Sequence, residues 1–187
     1  GADLPYLLLT GATGFLGRVL LRDLMLSGER VAVLVRSKGP MSAHQRVARI
    51  VEHWRALGYR IDEPLVLEGG LDEPDLRAKG GHESGAWPRI DRVLHNAASV
   101  RLSGEPSSGE PFRSNVAGTR RLIEWARRSG VGALHYVSTA YVSGSRTGVV
   151  LETELDRGQS FKNAYEKSKF DAEMEVRRCG LDFVVYR

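Results

Sequence analysis

The sequence predicts an α/β fold, a doubly wound parallel sheet with helices on both faces. Three observations predict it. Short apolar runs of strand length recur along the chain, amphipathic helical segments alternate with them, and the first run leads directly into glycines spaced three apart at the start of a helix. The 187 residues, 42% hydrophobic, suffice for one sizeable core and are short for two. A net charge of +4, dispersed among both signs, gives no footprint for nucleic acid and suits an anionic ligand. A single cysteine, Cys179, excludes an internal disulfide and a cysteine-cluster metal site and fits a reducing cytoplasm. The opening apolar run from Leu4 to Leu9 is too short to cross a bilayer and lacks signal-peptide flanks, and nothing later is longer and apolar, so no membrane span is expected. No repeat and no linker divides the chain, so residues 1–187 read as one domain. The stop at Arg187, immediately after an apparent core strand, reads as the amino-terminal part of a longer protein.

Leu7–Thr10 is the first strand. The helix that follows runs through Val19, Leu20, Leu24 and Met25 to Ser27, before Gly28. Between them, Gly11 permits the tight turn, Gly14 lets the chain approach phosphates, and Gly17 lets the helix press on the strand. Backbone amides at a positive helix end then face a pyrophosphate, which makes Gly11 to Gly17, with Thr13, Phe15 and Leu16 inside it, a dinucleotide site.

Arg30 to Val35 is the second strand, ending in Arg36. That place ordinarily carries an acid for the ribose 2′-hydroxyl; a guanidinium favours a 2′-phosphate, with Ser37 and Lys38 next in line, and predicts NADP rather than NAD. The segment from Ser42 is helical: Ser42 and Gln45 form a capping-box pair, Val47, Ile50, Val51, Trp54 and Leu57 share a face, and Gly58 supplies the stop. Leu65–Glu68 is the third strand and Arg92–His95 the fourth. The latter leads into Asn96, Ala97 and Ala98, whose small side chains leave room for a cofactor above the sheet edge. Ser103 to Pro111 is a loop, Asn115 to Ser129 a helix closed by Gly130, and Leu134–Val137 the fifth strand. A last helix covers Ala164 to Arg178, and Phe183–Tyr186 is a strand.

Tyr165 and Lys169 lie four apart on that last helix and share a face. Reducing a carbonyl with a nicotinamide needs a proton donor for the oxygen that gains charge, and an adjacent ammonium lowers a phenol's pKa toward working pH while hydrogen-bonding the nicotinamide ribose. The third partner comes from the end of the fifth strand, where a hydroxyl steadies the substrate oxygen: Thr139 is the first choice and Ser138 the reserve.

Together, Thr10 to Gly17, Asn115-Val116-Ala117-Gly118-Thr119, Tyr136 to Gly144 and Tyr165-Glu166-Lys167-Ser168-Lys169 resemble the extended short-chain dehydrogenase/reductase family. Phe161 to Glu173 and Val137 to Val142 are similar, more narrowly, to its fatty acyl-CoA reductase and thioester reductase branch. The resemblance covers nearly the whole chain. It implies a Rossmann fold, NADPH, a Thr-Tyr-Lys set at Thr139, Tyr165 and Lys169, and a cofactor contact at Asn115. After the third strand the branch usually carries Gly-Asp, with the acid on the adenine; this chain has Gly69, Gly70 and Leu71 there, and Asp72 shifted by two. Gly70 and Leu71 therefore stand at the expected cofactor edge. The carboxy-terminal region with which family members bind substrate is missing, so a substrate-binding lobe is expected elsewhere.

The activity so implied is NADPH-dependent reduction of an acyl thioester, on coenzyme A or a carrier protein, to aldehyde or alcohol. An NADP-dependent nucleotide-sugar epimerase or dehydratase, or a ketone or alcohol dehydrogenase, uses the same residues; a non-catalytic NADP-binding module is the alternative from another class. His44, His53, His82, His95 and His135 show no metal-ligand spacing, and no metal is expected. Trp54 and Trp125 read as core. Arg120, Arg121, Arg127 and Arg128 read as a solvated helix side, with charge suited to docking a carrier protein of acidic surface.

Overall fold

The computed structural model describes residues 4–73, 87–104 and 109–187. Six parallel strands, β1 (Tyr6–Thr10), β2 (Val31–Val35), β3 (Leu65–Glu68), β4 (Ile90–His95), β5 (Ala133–Val137) and β6 (Asp182–Tyr186), form one sheet in the order β3-β2-β1-β4-β5-β6. The helices are α1 (Phe15–Leu26), α2 (Ala43–Ala56), α3 (Gly118–Arg128) and α4 (Ala164–Arg177). This is the doubly wound Rossmann arrangement expected from the alternation of elements.

The two-residue period of the strands divides the core. Leu7, Leu9, Val31, Val33 and Val66 face α1 and α2, meeting Leu21, Val47, Val51 and Trp54. Leu8, Ala32, Leu67, Val93 and Leu134 face the other way, against Leu122, Trp125 and Ala126 of α3 and Ala172 and Val176 of α4. Both tryptophans are core, as expected. Every residue of β2 is buried, which is why the central strands read as continuous apolar runs rather than alternations. β6 differs: it is the sheet edge, with Phe183, Val184 and Tyr186 40–48% exposed, and is not the core strand its composition suggested.

Ser42 and Gln45 make the reciprocal capping box at the start of α2. Leu57, assigned by periodicity to the buried face of α2, is exposed because it lies past the last helical turn, at the cap. The helix expected from Asn115 begins earlier, as a single wide π-helical turn over Arg113–Ala117 that passes into α3. Of the expected Ser103–Pro111 loop, residues 105–108 lie outside the described residues, as does His82. No helix among the described residues is long and apolar enough to cross a membrane.

Candidate active site

The strand order reverses between β1 and β4, so a crevice opens at their carboxyl ends. Its floor is fixed by one side chain: Thr10 Oγ1 accepts from the amides of Asn96 (3.1 Å) and Ala97 (3.0 Å) and hydrogen-bonds His95 Nδ1 at 2.7 Å. His95 Nε2 meets Thr119 Oγ1 at 2.8 Å. Burial, with the Lys169 charge adding to it, pushes the His95 pKa down to about 3, so the ring is neutral and serves as a spacer between β1, β4 and α3.

Gly11 has φ of +72°, and a Cβ there would lie 2.7 Å from the Ala97 amide nitrogen; the turn comes this close to β4 only without a side chain. A Cβ on Gly17 would fall 1.9 Å from the Gly11 carbonyl oxygen, the close packing of helix on strand that the spacing implies. α1 begins at Gly14 with no side-chain cap and no acid in its first turn, so its leading amides remain available to an anion.

A cavity of about 930 Å³ runs from this turn along the strand ends. Gly11, Thr13, Gly14, Phe15, Leu16, Arg36, Gly70, Leu71, Asn96, Ala97 and Ala98 line it, and Tyr165 and Lys169 line it too. Gly17 lies beneath the turn instead. Asn115 is buried behind the wall: its Oδ1 accepts from the Ser99 amide at 2.7 Å, and its Nδ2 donates to the Ser99 carbonyl and to Ser168 Oγ, both at 2.9 Å. Its part is therefore to hold the 96–99 wall to α4 rather than to line the space.

Three lining features were not anticipated. Arg46, on α2, donates to Thr13 Oγ1 at 3.0 Å and to the Arg36 carbonyl, placing a second guanidinium beside Arg36. Its position on the first turn of a helix, ten residues beyond Arg36, carried no local signal. Asp72, displaced by two in sequence, is turned back by the bond from the Glu73 amide to the Gly70 carbonyl and reaches the cavity, 3.6 Å from Arg36 Nη1. Both partners are more than half exposed, and such a pair contributes little and yields readily to a ligand. The third is how the charge gathers: among the described residues that line the cavity, Arg36, Arg46, Arg101, Arg113 and Lys169 face Asp72 and Glu110. A dinucleotide carrying several phosphate charges fits these walls, with Arg36 and Arg46 at one end and the uncapped α1 terminus between.

At the other end α4 presents Tyr165 and Lys169. Lys169 is 2% exposed; its Nζ donates to the Val137 carbonyl at 2.7 Å and lies 4.3 Å from the centre of the Tyr136 ring. Burial lowers its pKa to about 7, against the opposing pull of Glu173 one turn on. Tyr136 shares the same enclosure, and burial raises its phenol above the usual value. Ser138 lines the cavity, but its hydroxyl donates to Glu173 Oε2 at 2.7 Å. Thr139 does not line it. It caps the short 3₁₀ turn Ala140–Ser143, accepting from the Tyr141 amide at 3.3 Å.

The male sterility protein family of NAD-binding domains matches residues 9–187. The chain belongs to this family. It is 32% identical over 149 residues to fatty acyl-CoA reductase 1 of Xenopus laevis, covering 74% of this chain and 28% of that protein. Among solved structures, the terminal R domain from the myxalamid PKS-NRPS biosynthetic pathway is 33% identical with a TM-score of 0.78, covering 100% of this chain and 48% of that one. A thiolation-reductase di-domain from an archaeal non-ribosomal peptide synthetase is 25% identical, also at 0.78, covering 99% and 52%. This family member thus spans under a third of the curated relatives it matches and about half of these solved reductase chains. The expected resemblance to fatty acyl-CoA and thioester reductases, and the Rossmann oxidoreductase fold, are borne out.

Proposed function

We propose that this chain is the NADPH-binding part of an oxidoreductase that reduces an acyl thioester, with Tyr165, Lys169 and Thr139 as its chemical residues. One observation carries the reading: Tyr165 and Lys169 open onto the same cavity as the glycine turn, at its opposite end. When bound, the reduced nicotinamide supplies hydride to the thioester carbonyl carbon. Tyr165 gives its phenolic proton to the oxygen that gains charge, and Lys169 sets positive charge beside the phenolate left behind. The hemithioacetal then collapses: its hydroxyl proton returns to the Tyr165 phenolate, the carbon–sulfur bond breaks, and aldehyde leaves with a thiolate that takes a proton from water. The oxygen also needs a fixed donor. A hydroxyl has one proton, and that of Ser138 is committed to Glu173, so we assign the role to Thr139, whose oxygen accepts from Tyr141 and leaves its own proton to give.

The preference for NADPH rests on Arg36 and Arg46, which line the same part of the cavity, the Arg46 guanidinium on the Arg36 carbonyl, where a 2′-phosphate would sit. A relative that joins thiolation and reductase domains, and another named a fatty acyl-CoA reductase, support an acyl group carried on a phosphopantetheine thiol, on a carrier protein or coenzyme A. That the chain spans about half of the solved reductase chains supports reading it as their cofactor-binding portion, with substrate contacts supplied elsewhere. The buried thiol of Cys179 suits the reducing cytoplasm, where we place the protein.

The test is nicotinamide oxidation on adding an acyl-CoA or acyl-carrier thioester, with NADPH and NADH compared. Thioester-dependent oxidation, faster with NADPH and reduced about 100-fold or more by Tyr165→Phe with cofactor binding kept, is expected. Turnover of a nucleotide sugar without net cofactor loss would overturn the proposal.

A further inference from the structure

Glu173 is wholly buried, on α4 one turn beyond Lys169, and no step above uses it. Its carboxylate gathers three elements. Oε2 accepts from Ser138 Oγ, at the end of β5, at 2.7 Å and from Arg187 Nε, just past β6, at 3.2 Å. Oε1 accepts from Arg187 Nη2 at 2.6 Å and from Arg177, on α4 itself, at 3.0 and 3.1 Å. The Ser138 amide in turn donates to the Tyr186 carbonyl at 2.7 Å, closing the loop between the two strand ends. The residue just before Ser138 is Val137, whose carbonyl receives the Lys169 ammonium. We propose that Glu173 is a positioning residue for Lys169: by clamping Ser138 against α4 it fixes the Val137 carbonyl, and its charge stands behind the ammonium.

A buried carboxylate would ordinarily be left out of such a place, because desolvation is costly unless the charge is fully paired. Burial pushes the Glu173 carboxyl upward, but hydrogen bonds from Arg187, Ser138 and Arg177 outweigh it and hold the group ionised. The groups facing Lys169 are few. On α4 they are Tyr165 and Glu173; on β5, the Tyr136 ring beneath the ammonium; on β4, neutral His95. Arg113 and its partner Glu110 line the same cavity from the π-helical turn and the loop before it. Glu173 is the carboxylate that favours the charged lysine, and without it Arg177 and Arg187 would stand unbalanced behind a third cation.

This proposal rests on Lys169 serving the cofactor, so its test reads binding and needs no turnover. NADPH affinity of the natural polypeptide that carries this sequence is measured by cofactor fluorescence between about pH 5 and about pH 9. The pH at which binding weakens reports the Lys169 charge. Glu173→Gln is expected to move that midpoint down by about one unit or more, and Arg187→Gln, which relieves the carboxylate of one guanidinium, to move it up. A clamp without electrostatic effect would weaken binding at every pH alike. Midpoints unmoved in both variants overturn the proposal. Should Glu173→Gln fail to fold, Arg187→Gln decides alone: an upward shift supports the proposal and an unmoved midpoint overturns it. Absent thioester reduction in the wild type would sink the reading of function and leave this profile standing.

Discussion

At the glycine-turn end of the crevice the protein works through main chain and empty space: an uncapped helix terminus, two glycines whose missing Cβ atoms let elements touch, and a threonine holding two amides. At the hydroxyl end it works through enclosed charge, with Lys169 2% exposed and Glu173 fully buried, joined through partners up to 35 residues apart in the chain. The turn at the first end, with Arg36, Arg46 and Asp72 beyond it, depends on no atom being added. The second is sensitive to pH and to distant substitutions, because a charge in a poorly solvated place is governed by whatever faces it.

The largest expected effect breaks the first end by adding carbon. Gly17→Val places a Cβ within 1.9 Å of the Gly11 carbonyl, so α1 must lift from β1. Overpacking of this kind costs about 1–3 kcal/mol, a fall of several degrees in melting temperature, and NADPH binding by fluorescence is lost. A smaller and more selective effect comes from Arg46→Gln. It weakens NADPH by roughly ten- to a hundred-fold and leaves NADH little changed in parallel titrations, since only the former carries the extra phosphate.

The contrast sharpens with pH. Lys169 is charged below about pH 7 and loses its proton above it, so wild-type NADPH affinity should fall as pH rises through 7, by up to about tenfold per unit, while Lys169→Met shows a flat profile. A last effect, read in stability rather than in binding, concerns His95. Its folded pKa of about 3 lies below the ordinary 6.5, so between these values the unfolded chain binds a proton that the folded one refuses. Stability is therefore full above pH 6.5 and declines toward pH 3, by up to about 1.4 kcal/mol per unit. Denaturant titrations at about pH 7 and about pH 5 check this, and His95→Gln removes that acid sensitivity.

The same division explains what could be read from the sequence. Glycine spacing, a strand before it and a helix after it are local, so the phosphate turn was legible, as were the strands and the Ser42–Gln45 cap. Tyr165 and Lys169 were legible because one helical turn sets their separation. Arg46 was not, because its approach to Thr13 depends on how α2 crosses the end of β2, a tertiary matter. Asp72 was discounted because counting along the chain does not show that the turn at Gly70 brings it back. The Glu173 network was invisible for a related reason: its members come from β5, α4 and the residue after β6, and one Glu among several on a mixed helix reads as surface.

The wide turn at Arg113–Ala117 carries a consequence of its own. A π-helical turn holds one residue more than the α-helix around it, so deletion of a single residue there would restore an even α-helical winding. The residue so removed would come from a stretch in which Arg113 and Ser114 line the crevice wall and Asn115 secures the Ser99 backbone. Length, and not only identity, is therefore constrained in that short stretch.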